Sequence, residues 1–449
     1  MDHALLQKYD RPVPRYTSYP TAPHFHAGIG PAEFKRWIAA SDADRPVSLY
    51  LHVPYCRQMC WYCGCHTKIV ARYQPIGDFA QRLAREITLA SEAFGARRRL
   101  SQVHWGGGTP NVLNADDLKR LTDEIRRNFQ VDDATEIAME LDPRWIDRDL
   151  LAALRDGGVA RVSLGIQDFD PAVQSAINRI QPFDVVKEKV EALREIGIRG
   201  VNFDLIYGLP HQTRESFAHS IDQALALKPD RFAVFGYAHV PWMKRHQAKI
   251  EEAALPDAAA RLTLAEDAAA RIEAGGYRRI GLDHFAKAED PLSLALDAGT
   301  LRRNFQGYTT DNADILIGLG PSAISALPAG YAQNAADIPL WGRAVDSGEL
   351  AIQRGIALSP EDRWRRAAIE RLMCFGALDL AALADEFKLP NAQFAGERAR
   401  LAPLIADGIA TLAGQQLRIS PEHLALARLV AACFDAYLNA GPGRHSRAV

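Results

Sequence analysis

From about residue 47 onward, short runs rich in β-branched and aromatic residues alternate with longer amphipathic stretches. The runs VSLYLHV (47–53), SQVHW (101–105), EIAMEL (136–141), RVSLGIQ (161–167), VNFDLIYG (201–208) and RFAVFGY (231–237) read as strands. Between them, 78–94, 116–129, 147–157, 171–178, 184–197 and 214–227 space their apolar residues as helices do. Glycine closes two of these helices, at Gly157–Gly158 and Gly197, as a left-handed cap requires. Strand–helix alternation implies βαβ units and a parallel sheet. Six units predict an α/β fold, either a partial or complete (β/α) barrel or an open doubly wound sheet.

The polar positions add direction to this pattern. The C-terminal strand ends carry Tyr50 and His52, then Gly106–Gly107–Gly108, Glu140, Gln167, Asp204 and Tyr237. Side chains alternate along a strand, so Tyr50 shares a face with His52, Ala138 with Glu140, and Ser163 with Gly165 and Gln167. Barrel interiors are normally packed with branched apolar residues. Polar residues at the same end of five strands therefore predict a lined cavity.

Residues 257–275 predict another amphipathic helix, and the stretch to about 350 is mixed and punctuated by Gly and Pro. From 356 the pattern turns helical, with Ser359 before Pro360 and Glu361 as an N-cap. A hairpin is expected over 408–420 and a helix through 424–438, which together predict a mostly helical, winged-helix-like C-terminal domain. The expected organisation is an N-terminal segment over 1–45, a catalytic barrel with its extension over 46–350, and the helical domain over 351–449.

Composition narrows the partners. The chain has 449 residues, 24% of them charged, with a formal net charge of −2. That balance predicts no nucleic-acid partner and no anionic membrane surface. No apolar run is long enough to span a bilayer, and MDHALLQKYDRPVPRYTSYP lacks a signal-peptide layout. A cytoplasmic protein is expected.

Four of the six cysteines lie within ten residues: Cys56, Cys60, Cys63 and Cys65. Cys374 and Cys433 stand alone in apolar surroundings and read as small buried hydrophobes. A C-x3-C-x2-C loop directly after the first strand is compact enough to wrap one side of an iron–sulfur cubane. Most [4Fe–4S] clusters take four thiolates; three leave one iron open, and an open position marks a reactive site. The amino and carboxylate groups of S-adenosylmethionine suit that position. The alternative is a closed zinc or electron-transfer site with Cys65 as fourth ligand, including a zinc-stabilised barrel serving as an interaction module. The turn Gly106–Gly107–Gly108–Thr109–Pro110 lets backbone approach a ligand closely. Beside it, Glu140 suits an ammonium, Arg179 a carboxylate and Asp204 ribose hydroxyls.

With the cysteine loop and GGGTP together, the chain resembles the radical S-adenosylmethionine superfamily. Within that superfamily it is similar to the family of oxygen-independent coproporphyrinogen III oxidases. The resemblance runs through PRYTSYPTA (14–22), SLYLHVPYCRQMCWYCGC (48–65), VHWGGGTP (103–110) and ELDPR (140–144). It continues in LGIQDF (164–169), NFDLIYGLP (202–210), NFQGYTT (304–310), GPSAIS (320–325) and YAQN (331–334). It implies a three-quarter (β/α)6 barrel with an N-terminal extension across it and a helical domain. Cys56, Cys60 and Cys63 are the implied cluster ligands. The implied S-adenosylmethionine contacts are Tyr50, Tyr62, Gly107, Gly108, Thr109, Glu140, Gln167, Arg179, Asp204, Ala238 and Ile324. Phe305 and Gln306 are implied at a second S-adenosylmethionine. The implied reaction converts two propionates of coproporphyrinogen III to vinyl groups, giving protoporphyrinogen IX in haem synthesis. An electron donor and an electron acceptor are needed, and the chain is expected to act as a monomer.

A propionate β-hydrogen is not acidic, so the chemistry calls for a radical rather than a base. Four substrate carboxylates call for cationic partners, for which Arg15, Arg302 and Arg303 are candidates. Cys65 is a candidate on the substrate side or behind the cluster, and His24, His26 and His284 are weaker candidates. Two relatives of other function remain as alternatives: a haem-trafficking binder and a haem-modifying methyltransferase. An aromatic at the position of Cys65 and a missing PRYTSYPTA segment would favour the haem-trafficking binder.

Overall fold

A computed structural model describes residues 5, 8–9, 11–390 and 394–438. The chain packs into two units. One is built from 25–256 and 311–357, the other from 1–24, 257–310 and 358–449.

The first unit carries the parallel strands. They are β1 (Val47–Val53), β2 (Leu100–Gly107), β3 (Glu136–Leu141), β4 (Arg161–Gln167), β5 (Gly200–Tyr207) and β6 (Arg231–Gly236). They pair in chain order, each parallel to the next. The expected strands and helices thus appear, with bounds moved by a few residues; the first helix, for example, is Gln74–Ala93. One face of each strand is apolar and fully buried, as at Leu49, Leu51, Trp105, Leu164 and Phe203. The helices bury matching stripes, such as Phe79, Leu83 and Ile87. These helices cover the outer side of the sheet and leave the other face for function.

Beyond β1 the sheet continues in a way that periodicity did not reveal. The strand Ile315–Leu319 pairs parallel to β1 on its free side. The strands Ile324–Leu327, Gly330–Asn334 and Ile352–Ala357 then follow antiparallel. They are short and interrupted by glycine, so their alternation is too brief to separate from loop.

The N-terminal end of the barrel interior departs from the usual packing of such barrels. It is polar rather than packed with branched apolar residues. Gln102 Nε2 donates to Glu136 Oε1 at 2.9 Å, and Arg161 Nε lies 3.4 Å from Glu136 Oε2. Burial pushes the Glu136 carboxyl up, but Arg161 and Arg231 outweigh it and hold it below the usual range. A buried charge is tolerable only when paired in this way.

In the second unit, a capping box opens the helix Pro360–Phe375. Ser359 Oγ accepts from Asp362 N and Asp362 Oδ2 accepts from Ser359 N. The strand Ala377–Asp379, helices Leu380–Phe387 and Ala395–Ala406, and the hairpin Ala410–Ala413/Gln416–Ile419 follow in winged-helix order. The helix expected over 424–438 is shorter than its pattern: only Ala427–Ala432 is α-helical, after a 3-10 turn over Pro421–Leu426. Side chains compete for its end. Asp435 accepts from Tyr16 Oη at 2.9 Å and from Tyr437 N at 2.7 Å, while Tyr19 Oη accepts from Ala436 N at 3.0 Å. These bonds replace helical ones, as Asp is prone to do.

Candidate active site

The cysteine loop leaves β1 and is stitched to the turn after β2. Gly108 N donates to Val53 O at 2.8 Å and Thr109 N to Tyr55 O at 2.9 Å. The glycines permit this approach. Gly107 has φ of +116°, and a Cβ at Gly108 would lie 2.6 Å from Tyr55 O. The triple glycine therefore reflects contact between two backbones as well as turn geometry.

Each cysteine of the triplet meets donors aimed at its sulfur. Thr67 Oγ1 donates to Cys56 Sγ at 3.1 Å, and Thr109 Oγ1 stands 3.2 Å from the same atom. Arg179 Nη1 donates to Cys60 Sγ at 3.5 Å and Arg144 Nη2 at 3.8 Å. Cys65 N donates to Cys63 Sγ at 3.3 Å. The hydrogen bond with the Cys65 side chain is the largest influence on Cys63; burial opposes it, but with the Cys65 N–H and the nearby His246 and Lys244 the thiol is brought down to about 6. Cys56 is pushed up, chiefly by burial. Donors converging on sulfur suit thiolates rather than thiols.

Among the described residues no three His, Cys, Asp or Glu side chains converge closely enough for a single ion. In a cubane each thiolate binds a different iron, so its ligands stand apart. With a donor set of three cysteine sulfurs, each already receiving hydrogen bonds, the loop fits a [4Fe–4S] cluster with one open iron.

Next to the loop runs a ladder across β1, β2 and β3. Tyr50 Oη donates to His52 Nδ1 at 3.2 Å. His52 Nε2 sits 2.9 Å from the His66 carbonyl, which only accepts, so the proton is assigned to Nε2. Burial lowers His52 to about 4 and keeps the ring neutral. Tyr50 stacks on His104 at 5.9 Å, and His104 Nε2 lies 3.2 Å from Glu140 Oε1. Gly107 N donates to Glu140 Oε2 at 3.3 Å. Sequence reasoning passed over His104, although it lies two residues before Gly106 on the same face.

On β4 the alternation breaks. Gly165 pairs with Asp204 and Gln167 with Leu205, so Ile166 is bulged. Gln167 takes φ of +68° and its side chain folds back over Gly165, where a Cβ would meet Gln167 Nε2 at 2.7 Å. The expected neighbourhood of Gln167 and Gly165 thus exists, through a bulge rather than through strand periodicity. Arg179 Nη2 donates to Gly165 O at 2.6 Å and its Nη1 to Asp142 Oδ2 at 3.1 Å. Its buried Nε has no partner among the described residues, which leaves a donor for an incoming carboxylate. On β5, Asp204 accepts from Ser163 Oγ and Asn202 Nδ2, both at 2.8 Å.

Tyr62 packs with Trp61 on an apolar cluster of Val173, Ile177, Leu209, Tyr237 and Ile250. A segment after β6, unremarked in the sequence, grips the loop from its carbonyl side. Lys244 Nζ donates to Cys65 O at 2.9 Å, His246 Nε2 to Cys63 O at 2.7 Å and Gln247 Nε2 to Tyr62 O at 2.8 Å. Cys65 itself is exposed. Ala238 lies just beyond β6, and Ile324 opens the strand Ile324–Leu327.

The remaining candidates belong to the other unit. Arg302 Nε pairs with Glu370 at 3.2 Å. Arg303 lies over the Tyr308 ring at 4.5 Å, and its Nη2 donates to the Arg15 carbonyl at 3.4 Å. Its Nε and Nη1 are buried without hydrogen-bond partners among the described residues. Asp283 is pushed up by burial, but His284, Arg303 and Arg15 overcome this and hold it well below the usual carboxylate range. Gln306 N donates to Asn304 Oδ1 at 2.9 Å in the turn that also holds Phe305.

The model of the radical SAM superfamily matches residues 50–224, and that of the HemN C-terminal domain matches 358–426. The oxygen-independent coproporphyrinogen III oxidase of Bradyrhizobium diazoefficiens is 47% identical over 437 residues, covering 97% of each chain. The enzyme of that name from Escherichia coli K12 is 42% identical over 439 residues, covering 97% of this chain and 95% of its own. The solved structure of coproporphyrinogen III oxidase from Escherichia coli, described as a radical SAM enzyme, superposes with a TM-score of 0.92 at 40% identity. It covers 97% of this chain and 99% of its own. This chain therefore belongs to the family of oxygen-independent coproporphyrinogen III oxidases within the radical SAM superfamily.

Proposed function

We propose that this chain converts two propionate side chains of coproporphyrinogen III to vinyl groups without oxygen, giving protoporphyrinogen IX. The observation that carries the reading is the hydrogen-bonded set of three cysteine sulfurs abutting the Gly107–Glu140 ladder at the C-terminal ends of parallel strands. When bound, the cluster and S-adenosylmethionine supply a carbon radical strong enough to take a propionate β-hydrogen, which no side-chain base can remove at neutral pH.

The protein's own residues hold and orient. Cys56, Cys60 and Cys63 ligate the cluster. Glu140 offers its carboxylate to the cofactor ammonium beside the Gly107 and Gly108 backbone, while the free Nε–H of Arg179 faces its carboxylate. Asp204, held by Ser163 and Asn202, accepts from the ribose. Tyr50, Tyr62, Thr109, Gln167, Ala238 and Ile324 complete this binding site, and neutral His52 keeps Tyr50 oriented. Phe305 and Gln306 serve a second S-adenosylmethionine.

Substrate carboxylates are taken by Arg303, whose unpaired N–H groups suit a propionate. Arg15 assists, whereas Arg302 is committed to Glu370 and contributes through that pair. Cys65, exposed in the loop, is assigned to the substrate side or to the shell behind the cluster. We further propose a cytoplasmic monomer that draws electrons from an electron donor and passes them to an electron acceptor. No helix among the described residues is long and apolar enough to cross a membrane.

The test is anaerobic reconstitution with iron and sulfide, followed by reductant, S-adenosylmethionine and coproporphyrinogen III. Protoporphyrin fluorescence after oxidation is expected. Release of 5′-deoxyadenosine without vinyl product would overturn the substrate and retain the radical class.

A further inference from the structure

The pairing around Cys60 differs from that around its two fellow ligands. Cys56 receives neutral hydroxyls and Cys63 a backbone N–H, whereas Cys60 faces two guanidinium groups. One of them, Arg179, is explained by the cofactor carboxylate. The other, Arg144, has no part in the reading above.

Arg144 is nevertheless built in with care. Its side chain is only 10% exposed, and it bonds Asp142 through both Nε and Nη2, the latter at 2.6 Å. Its Nη1 donates to Gln58 Oε1 at 3.2 Å, inside the cysteine loop. Gln58 Nε2 in turn donates to Asn178 Oδ1 at 3.1 Å, and Asn178 Nδ2 to Met59 O at 2.8 Å. The guanidinium also lies over Trp145, 5.9 Å from the ring centre. These contacts fix the fork so that the second N–H of Nη2 points at sulfur. Asp142, 7% exposed, is shared between Arg144 and Arg179, so two buried cations have one buried anion between them.

We propose that Arg144 is a tuning residue that raises the reduction potential of the cluster held by Cys60. The inference rests on the cluster assignment above. Reduction adds one negative charge to the cluster. A nearby cation and an N–H···S bond both stabilise the reduced form more than the oxidised one. Sparse solvent around this group leaves the effect less screened than at a surface.

The experiment is an EPR-monitored redox titration of the anaerobically reconstituted full chain, comparing R144Q, R144M and R144K with the unaltered protein. Iron and sulfide content is measured separately, so absence of a cluster in the unaltered chain would defeat the assignment and not the tuning. With full cluster loading, R144Q and R144M should lower the one-electron reduction constant about tenfold, which is about 59 mV. R144K, which keeps the charge, should recover most of that shift. S-adenosylmethionine affinity should stay within twofold, since Arg179 remains. An unchanged potential in fully loaded R144Q would overturn the proposal. So would loss of iron and sulfide in both neutral variants with an unshifted potential in whatever cluster remains, which would assign Arg144 to loop folding alone.

Discussion

The two sets of cysteines in this chain occupy opposite chemical environments. In the loop after β1, sulfur atoms are acceptors: hydroxyls, guanidinium groups and an amide point at them. In the helical unit, Cys433 Sγ is a donor, giving its proton to the Leu429 carbonyl at 3.5 Å, and burial pushes its thiol up to about 11. Cys374 sits among Ile280, Leu292 and Leu301, with its thiol likewise pushed up by burial. What separates the loop cysteines from the packing ones is thus the direction of the hydrogen bonds around the sulfur, since Cys60 is buried too.

This contrast is open to attack by substitution, and the largest effect is expected at Cys60. C60A should abolish the cluster's EPR signal and vinyl formation, with iron content well below the unaltered chain. Retained signal and activity would erase the distinction. G108A comes next, because its Cβ would press on the Tyr55 carbonyl at 2.6 Å, a backbone atom that cannot swing aside. The overpacking should cost about 1–3 kcal/mol, read as a lower denaturation midpoint, and should lower cluster yield. T109V removes a hydroxyl facing Cys56 while preserving shape, and should reduce cluster retention or activity by about 10–100-fold.

A smaller effect is expected from pH at the ladder beside the loop. His52 is held near 4 when folded, below its ordinary 6.5, so the folded state binds fewer protons between these values. Its contribution is complete above about 6.5 and is lost as pH falls toward 4, by about 1.4 kcal/mol per unit. Urea unfolding at pH 7 and pH 5 should show this loss, and H52N should flatten it. The smallest effect belongs to the helical unit. C433A should cost about 1 kcal/mol of stability through lost packing and leave cluster content and vinyl formation unchanged. A fall in iron on C433A would merge the two classes of cysteine.

Much of this site was legible along the chain. The triplet spacing, the glycine turn and the polar strand ends marked segments that the fold brings into contact, because strand periodicity places alternate residues on one face. Gln167 shows the limit of that reasoning. Its place beside Gly165 depends on a bulge at Ile166 and a left-handed backbone, neither of which alternation encodes. Arg144 and Asp142 lay within ELDPR but drew no attention as a pair, since two residues at i and i+2 leaving a strand have no fixed relation until the chain turns. The Lys244–Gln247 grip on the cysteine loop spans some 180 positions, beyond any local pattern.

The sequence by itself determined the parallel strands with their helices and the mostly helical C-terminal region, and it singled out the three cysteines proposed to hold the cluster. Local periodicity, ligand spacing and caps are properties of neighbouring residues. Only the tertiary structure decided which groups face each sulfur, where alternation breaks and how the sheet continues past β1. Those features are set by packing between segments far apart in the chain, where the burial of charge and the direction of each N–H and O–H are settled together.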